Sequence, residues 1–509
     1  MNQTANVSAG QAPDMKLFWG CFIALIATGF GFIARVLTSN EWGTEFGLSQ
    51  TQIGEINGVG LWPFAISIVL FSLIIDKIGY KAAMWFGLLC HILSTILIIS
   101  ADGYGLMYVG TFVLALGSGT VEAYINPVVA TMFKENKSKW LNILHAGWPG
   151  GLVLGGLFVI LMLSGLYWKY KIALILIPAV TYAILLFNKK FPVQERVAMG
   201  VSYKEMLGEV GAIGAGIIAY MVFAEIGRLV GFEYLGWIGA GASALIFFAY
   251  TKSFGQPLYI ILLLIMMILA TTELGVDSWI PPLMEGPMRP IFGDNAGGWV
   301  LLYTSLIMII LRFYAGPILK MVGSPLRLLA LSAFLAALGL FFLSKAAGAA
   351  ILIAATIYGL GKTFFWPTTL GVVSEQFPKG GALTLNAIAG MGMLAVGTFG
   401  APILGYLQDT TIQRELAKHD AENSTNLSET YVIDDNRSII GGYQSLNTDK
   451  VANAPEGDKE VISGVQGVSQ KYALSRAAIL PVIMLICYLG LIFYFNSKGG
   501  YKQVNLGGH

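Results

Sequence analysis

Residues 103–132 read GYGLMYVGTFVLALGSGTVEAYINPVVATM, a stretch whose one ionisable group strong enough to resist hydrocarbon is Glu122. A helix needs about 20 apolar residues to cross a bilayer, because nothing in the hydrocarbon can hydrogen-bond an exposed backbone. The stretch meets that length and leaves a carboxyl inside it. Runs of the same kind lie at 17–37, 55–75, 82–101, 140–165, 170–188, 210–230, 234–251, 256–284, 296–319, 328–344, 346–374, 381–407 and 475–496, so that fourteen are counted in all. Two are weaker: 210–230 is interrupted by Glu225 and Arg228, and 234–251 is short and rich in glycine and alanine. That pair either spans or lies at the interface as a re-entrant hairpin.

Composition agrees. Of 509 residues, 56% are apolar and 12% charged, too little charge to cover the surface of a soluble enzyme of this length. Cys21, Cys90 and Cys487 all sit in apolar runs, which excludes a disulfide scaffold. A net charge of +2 gives no reason to expect a nucleic-acid partner. Four histidines without metal-ligand spacing point to no metal and no cofactor. Residues 1–16 are polar with Lys16 their only base, so no cleavable signal peptide is expected.

Lysine and arginine in the loops set the orientation. With the N-terminus inside, sixteen of them fall on inner segments and five on short outer ones. Both termini are therefore expected in the cytoplasm, in a cell (inner) membrane. Residues 408–474 carry eleven acids against six bases and fall outside. Their Asn, Ser, Asp and Gly content reads as a solvated, mobile loop without a chemical role. Residues 189–209 read as an inner linker of mixed charge with an amphipathic patch at Tyr203–Leu207.

The chain repeats itself. Ser72-Leu-Ile-Ile-Asp76-Lys77-Ile-Gly79-Tyr-Lys81 follows the second run, and Gly316-Pro-Ile-Leu-Lys320-Met-Val-Gly323-Ser-Pro-Leu-Arg327 follows the tenth, 244 positions on. Leu141-Asn142 and Leu385-Asn386 are also 244 apart, and Gly117-x-Gly119 answers Gly359-x-Gly361 at 242. Three matches at nearly one offset imply two six-helix halves with the pair 210–251 inserted between them. Both halves start on the same side and so run parallel. The expected fold is an all-α polytopic membrane protein of about 14 spans: two parallel six-helix bundles forming a 12-helix transporter core, plus two extra central helices. Its parts are 1–188, a linker with the inserted helices at 189–255, a second bundle at 256–497 that includes the outer loop, and a tail at 498–509.

The segment Asp76-Lys77-Ile-Gly79-Tyr-Lys81 resembles the inner-loop signature of the major facilitator superfamily, with Ser72 where that signature opens on glycine. The stretch Leu116-Gly117-Ser-Gly119-Thr-Val-Glu122-Ala-Tyr-Ile-Asn126-Pro127, with Leu141-Asn142, resembles the fucose permease branch of proton–sugar symporters. The resemblance implies a gating role for Asp76, Lys77, Gly79 and Lys81. It also implies a central cavity lined by the first, fourth, seventh and tenth family helices, here 17–37, 103–132, 256–284 and 346–374. Such permeases carry an acid in the first span, where this chain has Arg35 instead.

Ionisable groups are costly in hydrocarbon and so mark function by default. Arg35, Glu122, Glu273, Asp277 and Lys362 fall on those four helices; Arg312 does not. Glu122 is cheaper to carry protonated through an occluded state than ionised, which suits proton coupling; the alternative is a permanent structural pairing. Glu273 and Asp277 share a helix face as a second proton or cation site, unless Asp277 lies in water at the outer mouth. Lys362 either holds an anionic solute or pairs with Glu273 or Asp277. Arg35 stands near the outer end of its helix, too far up for a direct pair with Glu122. Arg312 is expected to snorkel to the inner surface.

Asn126, Asn142, His145, Trp148 and Trp366 supply hydrogen bonds and aromatic faces to a substrate, together with Arg35 and Lys362. His145 can equally serve a helix–helix hydrogen bond. The expected activity is secondary active transport, not enzymatic: a monomer in the bilayer carrying a sugar or sugar-acid-like solute, or another organic anion, with a proton. The glycine cluster Gly147-Trp-Pro149-Gly150-Gly151-x-x-x-Gly155-Gly156 loosely resembles the fifth-helix signature of drug antiporters, which keeps an exporter open. A sensor or scaffold that lost transport is the alternative of another class.

Overall fold

In the computed structural model of the chain the described residues are 13–48, 50–162, 165–438 and 441–506. Most of the polar N-terminal stretch and the last three residues of the tail lie outside them. Among the described residues, thirteen helices are long and apolar enough to cross a membrane, and one further apolar helix is shorter. In chain order they are α1 (Met15–Phe46), α2 (Trp62–Ile78), α3 (Tyr80–Ile99), α4 (Tyr104–Met132), α5 (Lys137–Met162), α6 (Trp168–Leu186), α7 (Tyr203–Val230), α8 (Leu235–Thr251), α9 (Pro257–Phe292), α10 (Ala296–Phe313), α11 (Pro325–Leu343), α12 (Ala350–Gln376), α13 (Pro378–Asn423) and α14 (Glu456–Ser497).

Without a hydrophobic force between helices in lipid, close backbone packing must hold them together, and small residues permit it. The repeated glycines do this work in both halves. A Cβ on Gly119 of α4 would stand 2.2 Å from the carbonyl oxygen of Phe64 in α2, and one on Gly361 of α12 would stand 2.3 Å from the amide of Ala336 in α11. Large side chains such as Leu89, Ile96, Leu245, Ile246, Ile486 and Phe493 are exposed, as a lipid-facing surface requires.

The weaker pair of runs forms a helical hairpin, α7 against α8. Ser202 and Glu205 cap α7 reciprocally. The two charges inside its apolar run are tolerated because Arg228 pairs with Glu225 one turn earlier at 2.7 Å, near the helix end. The helix starts at Tyr203, within what reads in sequence as linker.

Residues 408–474 are not the open loop their composition suggests. The helix α13 runs on to Asn423, α14 begins at Glu456, and between them lie the helix Leu427–Tyr431 and an antiparallel pair, β1 (Val432–Ser438) and β2 (Gly441–Leu446). Ile412, Leu416, Leu427, Tyr431, Val432, Ala454 and Ile462 bury a small apolar core of their own. Sparse apolar residues at helical spacing were enough to order a segment whose average composition is polar.

Both described chain ends attach to the same end of the bundle. Asp14 pairs with Lys189 after α6 at 2.7 Å, and Gln503 donates to the carbonyl of Lys134 after α4 at 2.8 Å.

Candidate functional site

Three prolines govern the local geometry of the bundle centre. Proline lacks an N–H, so the carbonyl four residues earlier loses its helical partner. Pro127 in α4 frees Ala123, Pro149 in α5 frees His145, and Pro367 in α12 frees Thr363. Each freed carbonyl is met by a side chain from another helix. Asn386 Nδ2 donates to Ala123 at 2.8 Å, Arg312 Nη1 to His145 at 2.7 Å, and Arg312 Nε to Thr363 at 2.7 Å. In α12 the helix breaks at Phe364 and restarts, which turns the amide of Trp366 toward Glu273 at 3.2 Å.

Glu273 sits in a widened π-helical turn of α9, Thr271–Gly275. It pairs with Arg312 of α10 at 3.0 Å, both being almost wholly buried. One helical turn on, Asp277 receives two bonds from Lys362 Nζ, at 2.5 and 2.6 Å, and Lys362 also donates to Thr304 at 3.1 Å. The Tyr358 hydroxyl closes this group, donating to the carbonyl of Thr272 at 2.8 Å.

On the other side of Arg312 the network continues into α5 and α4. His145 Nε2 meets Asn126 Oδ1 at 2.9 Å, and Asn126 Nδ2 donates to Glu122 at 2.7 Å. Glu122 is 4% exposed and, among the described residues, has no cation within ion-pair distance. A polar chain thus joins Glu122, Asn126, His145, Arg312, Glu273 and Trp366, with Lys362 and Asp277 alongside.

The structure corrects one expectation and settles one alternative. Arg312 does not snorkel; it is the hub, with Thr363, His145 and Glu273 on its guanidinium. It looks peripheral in sequence because it stands near the end of its helix, just before Gly316-Pro317, yet it is 1% exposed. For Asp277 the structure decides between the two placements left open, burying it against Lys362 rather than in water at the outer mouth.

Three predicted residues lie apart from this chain of bonds. Asn142 donates to Ser138 at 2.8 Å and to Thr368 of α12 at 3.1 Å, nearer the end where the chain termini attach. Asn142 of the first repeat thus meets α12, and its counterpart Asn386 meets α4. Arg35 donates to the carbonyls of Ile56 and Asn57 at 3.1 and 3.0 Å, and it shares a cleft with Trp148.

The loop after α2 is clamped by the linker. Asp76 pairs with Arg196 in a short buried contact, Lys77 lies over the Tyr203 ring, and Gly79 turns with φ +84°. Lys81 is exposed. Arg196 was not singled out in the sequence, where it is one base among several in a charged linker.

The same end is sealed across the repeat. Ser138 of α5 donates its hydroxyl and amide to Glu375 of α12 at 2.5 and 3.1 Å, and Lys137 bonds Glu195 at 2.8 Å and the carbonyl of Ser374 at 3.1 Å. The tail lies over this seam: Tyr501 donates to Glu375 at 2.7 Å, and the amide of Val504 to the Glu375 carbonyl at 2.9 Å.

Apolar helices in this number, packed around buried charge pairs, define a multi-pass membrane protein. The chain belongs to the Major Facilitator Superfamily, whose family model matches residues 19–402. A gentisate transporter of Corynebacterium glutamicum is 24% identical over 160 residues, 31% of this chain and 36% of that protein, so the match spans about a third of that curated relative. Among solved structures, the E. coli fucose:proton symporter FucP in the outward conformation is 16% identical with a TM-score of 0.56, covering 92% of this chain and 98% of that one. The proton:xylose symporter XylE from E. coli is 12% identical with a TM-score of 0.61, covering 93% and 94%. The human organic anion transporter MFSD10 (TETRAN) is 11% identical with a TM-score of 0.60, covering 94% and 100%. At these identities the likeness is one of fold.

Proposed function

We propose that the protein couples the movement of a small polar solute, a sugar, a sugar acid or another organic anion, to the entry of protons, with Glu122 taking up and releasing the proton. One observation carries this reading. The buried network holds three carboxyls and two cations, and both cations are committed, Arg312 to Glu273 and Lys362 to Asp277. With Glu122 protonated the group is neutral; with Glu122 ionised it carries one uncompensated negative charge, which is stable only against water or a cation. Proton binding therefore favours an occluded state and proton loss an open one.

In this reading the halves 1–188 and 256–497 rock about the midplane network, as two parallel repeats do. The lysine and arginine bias supports cytoplasmic termini, so the seam of Ser138 and Glu375 is the inner gate, and the Asp76–Arg196 clamp secures the loop beside it. Asn126 and His145 link the proton site to Arg312, and Trp366 and Lys362 border the same space. The structural neighbours FucP, a fucose:proton symporter, and XylE, a proton:xylose symporter, agree with coupling of this kind.

The test is uptake of labelled sugars and uronates into proteoliposomes with and without a pH gradient. Glu122→Gln should abolish uphill accumulation while solute exchange continues. Accumulation at the wild-type level in that variant would remove Glu122 from the coupling.

A further inference from the structure

We propose that the cleft beside Arg35 is a subsite for an aromatic carboxylate: the guanidinium takes the carboxylate and the ring lies against Phe32 and Trp148. This narrows the solute class proposed above and rests on the reading of the chain as a solute transporter.

Arg35 is 2% exposed, and among the described residues no acid lies within ion-pair distance of it. It differs in this from Arg312 and Lys362. Its Nη1 serves structure, donating to the carbonyls of Ile56 and Asn57 at the end of the helix Gln50–Gly58, where the helix dipole offers only partial negative charge. Its Nε has no partner. A buried guanidinium with a full charge and an idle donor is costly unless an anion joins it, and arginine's planar fork suits a carboxylate above other anions of similar size.

The backbone is shaped around this group. A Cβ on Gly60 would stand 1.8 Å from Arg35 Nη1, so glycine is the residue that lets the guanidinium lie there. The cleft is lined by Phe32, Arg35, Thr111, Ser118, Trp148 and, from the second half of the chain, Met393. Thr111 is fully buried and its hydroxyl is also without a partner, which leaves a second donor for the same ligand. Phe32 and Trp148 stand 5.7 Å apart at 46°, and the guanidinium lies 5.6 Å from the Phe32 ring.

The polarity of the lining selects the body of the ligand. Ser118 is engaged with His91 at 3.5 Å, and Thr28 with its own helix at 2.7 Å. A sugar acid would bring several hydroxyls to a wall that can answer few of them, and each unanswered one costs binding. A ring with one carboxylate places its charge on Arg35 and its faces on aromatic surface.

Ligand-dependent thermal unfolding of the purified protein in detergent tests this at equilibrium, with benzoate, glucuronate and glucose as probes. Benzoate should stabilise the wild type and glucose should not. Arg35→Gln should weaken benzoate by at least about tenfold, and Phe32→Ala and Trp148→Leu, which leave the arginine in place, by about three- to tenfold each. Benzoate acting no better than glucose, glucuronate outdoing benzoate, or benzoate affinity surviving Arg35→Gln would each overturn the proposal. If Arg35→Gln fails to fold, unchanged benzoate affinity in both aromatic variants overturns it instead. No proton gradient enters this measurement, so benzoate binding without coupled uptake would sink the coupling through Glu122 and leave the cleft standing, and coupled sugar uptake without benzoate binding would do the reverse.

Discussion

Arg312 makes one ion pair and two carbonyl bonds from a single side chain, across α5, α9, α10 and α12. Removing one member of a buried pair leaves the other charged and alone, at roughly 3–5 kcal/mol. Arg312→Gln should lower the thermal stability of the detergent-solubilised protein by an amount of that order. Adding Glu273→Gln should recover part of the loss, because the stranded carboxylate goes with it; an additive double variant would contradict the pairing. Lys362→Met should behave likewise and be relieved by Asp277→Asn. At this scale the sequence was informative about which residues matter and poor on their partners. Intramembrane charge alone marked Glu122, Glu273, Asp277, Lys362 and Arg35. Arg312 is not legible in this way, because it stands near a helix end and its burial depends on which helices meet there. The signal that could have found it lies in the prolines: three positions, each four residues after a carbonyl that must find a donor elsewhere.

Those prolines act at the scale of the element. Pro367→Ala restores an amide that competes with Arg312 for the Thr363 carbonyl. The expected outcome is a straighter α12 with stability near the wild type and slower solute exchange, read from proteoliposome flux beside a melting curve. Equal flux would show that the break in α12 has no part in the cycle. The cap between α13 and α14 makes the opposite case. Leu416 is wholly buried in its separate apolar core. Leu416→Ala should cost about 2–4 kcal/mol locally, opening residues 424–455 to limited proteolysis while uptake is unchanged. Helix positions were legible from run length and charge, since hydrocarbon dictates both. The cap was not, because in water few apolar residues suffice to order a segment and composition averages them away.

For the whole molecule, the repeat offset of 244 sets Asn142 against Asn386, and each reaches the other half of the chain, to Thr368 and to Ala123. What no offset could reveal is the tail on the seam, since it has no repeat counterpart. Truncation after Ser497 removes the contacts of Tyr501 and Val504 with Glu375 and that of Gln503 with Lys134. A cysteine at buried Ser138, introduced with the native three replaced, should then react faster with a membrane-impermeant maleimide offered from the side on which the tail lies. An unchanged rate would mean that the tail rests on the seam without holding it.

The guanidinium of Arg312 grips α5 and α12 by carbonyls whose helical donors Pro149 and Pro367 have removed. Pulling α10 away from both would leave two helices with bare oxygens in a dry interior at once. Half-separated arrangements are therefore the most expensive ones the bundle can visit. Motion between its end states is expected to be a switch with few stopping points, in which water arrives at all the vacated oxygens together or at none.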